Sequence, residues 1–350
     1  MSKKVLITGN EAVVEAAIAG GCSFYAGYPI TPQNELIRQM AKRMREEKRV
    51  FIQAESELAA INMVFGAAAT GMRAMTTSSS PGISLMQEGV SYLCGCQLPA
   101  VIVNVMRGGP GLGNIAPSQA DYFQATKGGG HGDYNLIVLA PSSPQEAFDL
   151  TFLAFDLADE YRNPVIILMD AFLGQMAEAV EIKKRKIKNY KKDWALTGAK
   201  GRPPRIIRSL FLKEGVLERH NLELQKKYKK MRKEVRSESI NCKDAEILFV
   251  AYGISFRIAK EAAFLLKKDI KAGVFRPITL WPFPYKELEE LTSDKKAVFV
   301  FELACEQLAE DVRLAVRNTP VYTYGRLGGG VFDEEELVNF VRKKLNEVKV

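Results

Sequence analysis

The chain has 350 residues, of which 47% are hydrophobic and 26% are charged, and it carries a formal net charge of +8. This length is typical of two domains, and the hydrophobic fraction is enough for packed cores. No apolar run reaches the roughly 18 residues of a membrane span, and the first residues lead into a predicted strand rather than a signal sequence. We therefore expect a cytoplasmic protein that does not enter the membrane.

The cysteines exclude several kinds of site. The chain has five cysteines, Cys22, Cys94, Cys96, Cys242 and Cys305. They form no C-x-x-C pair and no cluster of four. This pattern argues against a disulfide framework, a zinc site or an iron–sulfur cluster carried by this chain. No spaced set of histidine, cysteine and carboxylate side chains predicts another metal site, so we expect no metal on this chain.

Apolar runs of strand length alternate with helical periodicity through the first half of the chain. The predicted strands are 4–7, 24–26, 50–52, 73–77, 100–105, 136–139 and 165–169. Helices are predicted at 11–19, 34–47, 57–70, 83–94 and 144–159, with Gly9 and Asn10 expected to cap the first. This alternation is typical of a parallel sheet with helices on both faces.

The alternation stops after Met176, where a basic segment begins. From 182 to 236 there are 20 lysines and arginines but only 5 acidic residues, so this segment carries +15 and the rest about −7. We expect a connector with a helical piece at 222–236, either solvated or serving as a docking surface for an acidic protein or an anionic ligand. Nucleic acid is not expected, because no binding motif is present and few aromatic residues interleave the charges.

The alternation resumes at Ala245 and indicates a second unit. Its predicted strands are 247–251, 273–275, 297–301 and 321–324, and its predicted helices are 256–266, 308–316 and 334–344. The sequence thus predicts an α/β protein with two doubly wound, mostly parallel-sheet domains. We place the first domain at 1–180, the basic connector at 181–243 and the second domain at 244–350.

Two polar stretches follow predicted strands of the first domain. In the turn Gly27–Pro32, Pro29 and Pro32 hold the residue before each in extended geometry, so the hydroxyl of Thr31 belongs to a non-helical segment. The stretch Gln53–Glu57 brings two carboxylates to the start of a very apolar helix. Ligands bind at the carboxyl ends of strands in open α/β sheets, so both stretches are candidate site residues.

Arg107 and His131 are two further candidates. Arg107 follows a buried strand and opens a glycine-rich loop, where a guanidinium suits a carboxylate or phosphate but can also pair with a helix carboxylate. The loop is not a dinucleotide fingerprint, because the glycine spacing differs and no Walker lysine follows. His131 lies in the glycine-rich loop 128–133 and either contacts substrate or is a hydrogen-bonding surface group.

Together these stretches resemble the thiamine-diphosphate pyrimidine-domain subunit of the 2-oxoacid:ferredoxin oxidoreductases. The resemblance runs nearly end to end and is carried by Gly27–Pro32, Glu55–Glu57, Ser79–Glu88, Asn104–Pro110, Gly130–Tyr134 and Arg276–Pro284. Within that family, this chain resembles the branched-chain (2-oxoisovalerate) type at Gln33–Glu35, Trp194–Arg202 and Arg219–Leu222. The resemblance implies a thiamine-diphosphate pyrimidine-type domain followed by a transketolase C-terminal-like domain.

The resemblance also implies roles for the candidate residues. Glu57, with Glu55 as the alternative, would hydrogen-bond the pyrimidine ring of thiamine diphosphate and so activate the cofactor. Thr31 would hydrogen-bond the 2-oxoacid and Arg107 would bind its carboxylate. His131 is a further candidate for substrate binding.

The cofactor pocket implied by the resemblance has walls that include Tyr28 and Pro29, and it is completed by another chain. The other thiamine domain of the family carries a G-D-G motif, whereas this chain has only Gly132-Asp133-Tyr134. A partner subunit would therefore bind the diphosphate and Mg²⁺ and carry a [4Fe-4S] cluster. The expected complex also has a small gamma-type subunit. It can include a ferredoxin-like subunit, and two copies of this chain can dimerise within it.

The implied reaction is the oxidative decarboxylation of 3-methyl-2-oxobutanoate, with coenzyme A as co-substrate and ferredoxin as electron acceptor. It would yield the acyl-CoA and CO2. Two alternatives stay open: the same reaction on 2-oxoglutarate or another 2-oxoacid, and a non-catalytic assembly subunit that has kept the fold. An autonomous enzyme of the transketolase kind is not favoured, because G-D-G is missing.

Overall fold

The structure is a computed structural model that describes residues 3–183 and 185–347. Its strands are β1 (Lys3–Thr8), β2 (Phe24–Gly27), β3 (Val50–Gln53), β4 (Ala74–Ser78), β5 (Ala100–Met106), β6 (Ile137–Leu139), β7 (Pro164–Asp170), β8 (Ala177–Ile182), β9 (Ser237–Ile240), β10 (Ile247–Val250), β11 (Ala272–Pro277), β12 (Thr279–Trp281), β13 (Ala297–Glu302) and β14 (Val321–Gly325). Its α-helices are α1 (Gly9–Ala19), α2 (Asn34–Glu46), α3 (Glu57–Ala69), α4 (Ser80–Gly95), α5 (Pro144–Tyr161), α6 (Ala171–Gln175), α7 (Val216–Met231), α8 (Gly253–Leu266), α9 (Tyr285–Thr292), α10 (Gln307–Ala315) and α11 (Glu334–Glu347).

These strands form three sheets. The largest has the order β12-β6-β7-β5-β4-β2-β3, in which every pairing is parallel except that of β12 with β6. The second sheet has the order β14-β13-β10-β11-β9 and is parallel except at β9. The predicted α/β class with mostly parallel sheets is therefore confirmed.

The central strand β5 shows why the sequence folds this way. All seven of its residues are buried, since helices cover both faces of the sheet. A parallel sheet covered on both sides requires a continuous apolar run instead of an alternating pattern, and Ala100–Met106 has that character apart from one asparagine. Arg107 follows the carboxyl end of β5 and therefore lies at one edge of the sheet.

The two large sheets are joined by the segment that follows β11. After Pro277 the chain leaves the second sheet and β12 pairs with β6 of the first. Arg276 lies at this crossing, 1% exposed, and its guanidinium donates to both carboxylate oxygens of Glu146 at 2.6 and 2.7 Å. A bidentate pair of this kind fixes geometry as well as adding energy, so this crossing couples the two sheets.

Two predicted elements differ from the structure. The first predicted strand does not join the large sheet, because β1 pairs only with β8 in a two-stranded antiparallel sheet. Leu6 on β1 is 73% exposed, so its apolar character does not mark a core position. The connector helix α7 begins at Val216 and ends at Met231, earlier than the predicted 222–236.

None of the helices in the described part of the chain is long and apolar enough to cross a membrane. Within the same residues, no group of three or more histidine, cysteine, aspartate or glutamate side chains could hold a metal ion.

Candidate functional site

The turn after β2 is held from inside the fold by a chain of hydrogen bonds. Thr77 on β4 donates to the side-chain oxygen of Gln33 at 2.7 Å, and the hydroxyl of Tyr25 lies 2.7 Å from the hydroxyl of Thr77. The amide of Gln33 donates to the carbonyl of Tyr28 at 3.4 Å. Because Gln33 and Tyr25 are fully buried, this network sets the position of the turn relative to the sheet.

The structure corrects the predicted cap of α1. Thr8 is the N-cap residue, and Glu11 completes a capping box with it. Asn10 is fully buried and donates instead to the carbonyl of Pro32 at 3.1 Å and to Glu35 at 2.7 Å. Asn10, which the sequence predicts to cap α1, therefore supports the turn after β2 instead.

Arg107 and Thr31 lie together at the carboxyl edge of the large sheet. The guanidinium of Arg107 donates from Nη1 to the carbonyl of Thr31 at 2.9 Å and from Nη2 to the carbonyl of Leu112 at 3.0 Å. Its Nε is buried and has no hydrogen-bond partner within the described residues. The Thr31 hydroxyl accepts from Asn34 at 3.0 Å, so its own hydrogen remains to donate. These groups leave donors free for a carboxylate and an adjacent oxygen.

A buried polar cluster holds the backbone of Arg107. The backbone N–H of Arg107 donates to the hydroxyl of Ser80 at 3.0 Å, and that hydroxyl donates to Asp121 at 2.6 Å. Asn104 accepts from the Ser80 N–H at 3.1 Å and donates to Asp121 at 2.8 Å. Burial raises the pKa of the Asp121 carboxyl, while the hydrogen bonds from Ser80 and Asn104 act in the opposite direction. The first residue of α4 is thereby tied to the end of β5.

Glu57 is the first residue of α3 and points toward the first turn of α4. Ser56 caps α3 by accepting from the N–H of Ala59 at 3.1 Å. Glu57 is 5% exposed, and a Cβ added to Gly82 would lie only 2.5 Å from its Oε1. The same Cβ would lie 2.1 Å from the hydroxyl of Ser78, which is buried without a partner in the described chain. Glycine at this position makes the close approach of α3 and α4 possible.

The carboxylate of Glu57 has an unfilled hydrogen-bonding capacity. Within the described residues it receives no hydrogen bond and forms no ion pair, although buried carboxylates are usually paired. These residues fit a ligand that donates an N–H to the carboxylate, as the pyrimidine half of thiamine diphosphate would. Glu55, the alternative, is exposed.

The remaining predicted site residues fall into two groups. Tyr28 is 38% exposed and Pro29 is partly buried, both on the turn beside Thr31. His131 is exposed, and its carbonyl accepts from the hydroxyl of Ser91 at 2.6 Å, in the last turns of α4. Since Ser80 and Ser91 are eleven residues apart, the helix separates them by roughly 16 Å. The structure therefore does not bring His131 to Arg107 and Thr31.

The sequence did not single out Asn104, Asp121 or Gly82 as individual site residues. One signal was available, because an asparagine inside an otherwise apolar, fully buried strand must find hydrogen-bond partners. The partners themselves come from α4 and from the loop after Pro117, and only the tertiary structure shows them.

Comparison with known proteins is consistent with this geometry. Residues 15–243 match the family described as pyruvate flavodoxin/ferredoxin oxidoreductase, thiamine diP-bdg, and residues 245–337 match pyruvate:ferredoxin oxidoreductase core domain II. Ketoisovalerate oxidoreductase subunit VorB of Methanothermobacter marburgensis is 48% identical over 345 residues, with 98% of each chain covered. The 2-oxoglutarate synthase subunit KorA of Archaeoglobus fulgidus is 40% identical over 317 residues, covering 88% of this chain and 90% of that one.

A solved structure is also similar. It is a 2-oxoglutarate:ferredoxin oxidoreductase from Magnetococcus marinus with 2-oxoglutarate, coenzyme A and succinyl-CoA bound. The TM-score is 0.86 at 28% sequence identity, and the match covers 98% of this chain but 65% of that one. The resemblance read from the motifs is confirmed: the chain belongs to the 2-oxoacid:ferredoxin oxidoreductase family, as a subunit that contains the thiamine-diphosphate-binding domain of that family.

Proposed function

We propose that this chain supplies the pyrimidine-binding half of a thiamine-diphosphate site in an enzyme that oxidatively decarboxylates 3-methyl-2-oxobutanoate. The proposal rests chiefly on the buried carboxylate of Glu57, which lies at the first turn of α4 without a partner in the described chain. The same turn holds the backbone of Arg107 through Ser80. One helix start thus connects the cofactor-activating group with the substrate-binding group.

Each side chain then has a distinct role. Glu57 accepts a hydrogen bond from the pyrimidine ring, and Tyr28 and Pro29 form part of the pocket wall. Arg107 binds the carboxylate of the 2-oxoacid with guanidinium hydrogens that the carbonyls of Thr31 and Leu112 do not accept, and the Thr31 hydroxyl donates to a neighbouring substrate oxygen. Thiamine diphosphate, when bound, supplies the nucleophilic carbon that attacks the 2-oxo group. Two electrons pass to ferredoxin, CO2 is released and the acyl group passes to coenzyme A.

The loop after Arg107 supports a branched-chain substrate. Between Gly108 and Thr126 there is no lysine or arginine, whereas the loop exposes the apolar side chains of Leu112 and Ile115, at 80% and 62%. A second carboxylate, such as that of 2-oxoglutarate, would need a cation near it, because burying an unpaired charge is costly. The strong similarity to the ketoisovalerate oxidoreductase subunit supports the same choice.

The second candidate substrate is 2-oxoglutarate, because the 2-oxoglutarate synthase subunit KorA of Archaeoglobus fulgidus is 40% identical to this chain. Reduction of a viologen dye by the purified complex, with coenzyme A and a series of 2-oxoacids, separates the two. We expect the ratio kcat/KM to be highest for 3-methyl-2-oxobutanoate. A higher ratio for 2-oxoglutarate would overturn the substrate assignment without affecting the family.

The other half of the site is proposed to lie on a partner subunit with a G-D-G motif, Mg²⁺ and a [4Fe-4S] cluster. The sequence supports that division because its 350 residues contain neither G-D-G nor a C-x-x-C pair. A small gamma-type subunit, and a ferredoxin-like subunit where present, would complete the complex. We place it in the cytoplasm, because all five cysteines are free thiols, as in a reducing compartment. Iron and magnesium analysis of the proteins that co-purify with this chain tests the proposal.

A further inference from the structure

The basic connector forms a pocket lined by cationic side chains. The cavity has a volume of about 460 Å³ and lies between the connector and the end of α4. Arg162, Arg205, Arg208 and His220 line it, and none of the described residues in its wall is an aspartate or glutamate. We call this cavity the arginine pocket. Its size is within the range of small-molecule sites.

The arginines of this pocket have few polar partners. The guanidinium of Arg162 lies over the ring of Trp194 at 4.7 Å, and its Nε is buried without a hydrogen bond in the described chain. Arg208 lies over Phe211 at 5.2 Å. Within the described residues, only Arg205 forms a side-chain hydrogen bond, to the carbonyl of Ala195 at 2.6 Å, and none of the three forms an ion pair. Most of their donors are therefore unused.

A further cation, Lys227, contacts Arg162. The amine of Lys227 donates to the carbonyl of Arg162 at 3.2 Å, and no carboxylate of the described residues pairs with it. Burial is the main cause that lowers the pKa of Lys227 to about 8, and Arg162 contributes in the same direction. Burial also lowers the pKa of Arg162. Partly desolvated cations without counter-charges are unfavourable, and a bound anion would compensate them.

The aromatic side chains indicate more than a simple anion. Trp194 and Phe211 line the cavity beside the arginines, and Phe211 packs against His220 with ring centroids 4.9 Å apart and the ring planes tilted by 40°. A second cleft of about 720 Å³ shares Phe211 and His220 with the arginine pocket. Arginine combined with aromatic faces recognises planar rings as well as phosphates.

This pocket is remote from the Glu57–Arg107 site. Arg162 lies two residues before the start of β7, and Cys96 and Gln97 in its wall precede β5. Arg107 follows the other end of β5. Seven residues of parallel strand span roughly 20 Å, so the two sites lie at opposite edges of the same sheet.

We propose that the arginine pocket binds a phosphorylated small molecule of the nucleotide type, with its phosphates on Arg162, Arg205 and Arg208 and its ring beside Trp194 and Phe211. This site is separate from the oxidoreductase reaction and does not depend on the proposed substrate. It gives the basic connector a ligand, where the sequence alone left solvent, an acidic protein or an anion as alternatives.

The test uses Trp194 as a reporter. The full chain with Trp281→Phe keeps a single tryptophan, because the sequence has two. Titration with inorganic pyrophosphate and with ADP is expected to change its fluorescence saturably, with ADP binding more tightly than pyrophosphate. The pair Arg205→Gln/Arg208→Gln should weaken binding of both probes at least about tenfold, since charge-assisted hydrogen bonds are lost.

The matched control pair is Lys213→Gln/Arg219→Gln, which removes the same charge from the connector outside the pocket. It should leave both affinities within about twofold, because exposed charges act weakly through solvent. Thermal melts establish that both pairs of variants are folded. The proposal is overturned if neither probe binds saturably to the parent chain, or if the two pairs weaken binding equally.

Discussion

The guanidinium of Arg107 donates from Nη1 to the carbonyl of Thr31 at 2.9 Å, joining residues 76 positions apart. Arg107 directly follows β5 and Thr31 lies in the turn after β2, with β4 between these strands. A second bond goes to the carbonyl of Leu112, and the buried Nε has no partner within the described residues. The orientation of the guanidinium is thus set by two backbone carbonyls, before any substrate is bound.

Replacing Arg107 with lysine is predicted to weaken substrate binding. An ammonium cannot keep both carbonyl contacts and also present the planar fork of donors that suits a carboxylate. The KM for the 2-oxoacid should rise roughly 10²-fold, as expected when a buried charged contact is truncated. The KM for coenzyme A in the assembled complex serves as the internal control and should change little. An unchanged KM for the 2-oxoacid would contradict the assignment.

Glu57→Gln is predicted to abolish turnover while the complex stays assembled. Glutamine keeps the size of the side chain but presents an amide where the cofactor ring needs a carboxylate, and loss of such a group costs roughly 10²–10⁴-fold in rate. The matched variant is Glu55→Gln, two residues away and exposed, which should retain most of the activity.

Viologen reduction and gel filtration of the complex measure these two effects. Retention of activity in both variants would support a non-catalytic assembly subunit. Loss of activity in Glu55→Gln alone would transfer the activating role to Glu55.

Two glycine-to-alanine substitutions should have opposite consequences. At Gly82 the new Cβ would lie 2.5 Å from Oε1 of Glu57 and 2.1 Å from the hydroxyl of Ser78, so α4 or Glu57 must move and activity should fall at least about tenfold. At Gly66, inside α3, the new Cβ meets nothing within 4 Å. There the substitution should raise the free energy of unfolding by about 0.5–1 kcal/mol.

Urea denaturation of the isolated chain and activity of the complex measure these two outcomes. Full activity of Gly82→Ala would show that the close contact with Glu57 is not needed for the reaction.

The carboxylate of Asp170 is predicted to make stability depend on pH. It is 1% exposed at the end of β7 and accepts from the N–H groups of Leu173 at 3.0 Å and Ile254 at 2.9 Å. Burial outweighs these bonds and raises the pKa of Asp170 from 3.8 to about 6. The folded state therefore binds this proton more tightly than the unfolded state does. The stabilising contribution is complete below the lower pKa and is lost as the pH rises through about 6.

Asp170→Asn should accordingly cost more stability at about pH 4 than at about pH 7. Urea denaturation of the chain and the variant at both pH values gives the two differences in the free energy of unfolding, in which the other titrating groups cancel. A cost that grows with pH would contradict the raised pKa.

Much of the fold followed from sequence patterns, because parallel strands and covering helices have distinct periodicities. The strand β10 was predicted at 247–251 and is found at Ile247–Val250. Short elements without such a signal were not predicted, among them β12, whose three residues pair with a strand more than a hundred positions earlier. Pairing across that distance depends on how the two sheets pack, and no local periodicity encodes it.

The residues of the candidate site were recognised from the sequence, but their arrangement in space was not. The turn with Thr31, the helix start with Glu57 and the strand end with Arg107 were recognised from local chemistry and from family motifs, and their roles stay predictions. His131 was grouped with them because it also lies in a glycine-rich loop. The structure separates it along α4, since the position of a loop relative to a helix is a tertiary property.

By itself, the sequence determined the α/β class, the succession of most strands and helices, and membership of the oxidoreductase family, because apolar periodicity and contiguous motifs are local properties. Only the tertiary structure decided that the carboxylate of Glu57 is buried against Gly82 while that of Glu55 is exposed. It alone placed the guanidinium of Arg107 on the carbonyl of Thr31. These relationships depend on packing between helices and strands distant in sequence, which is where burial and hydrogen-bond partners are set.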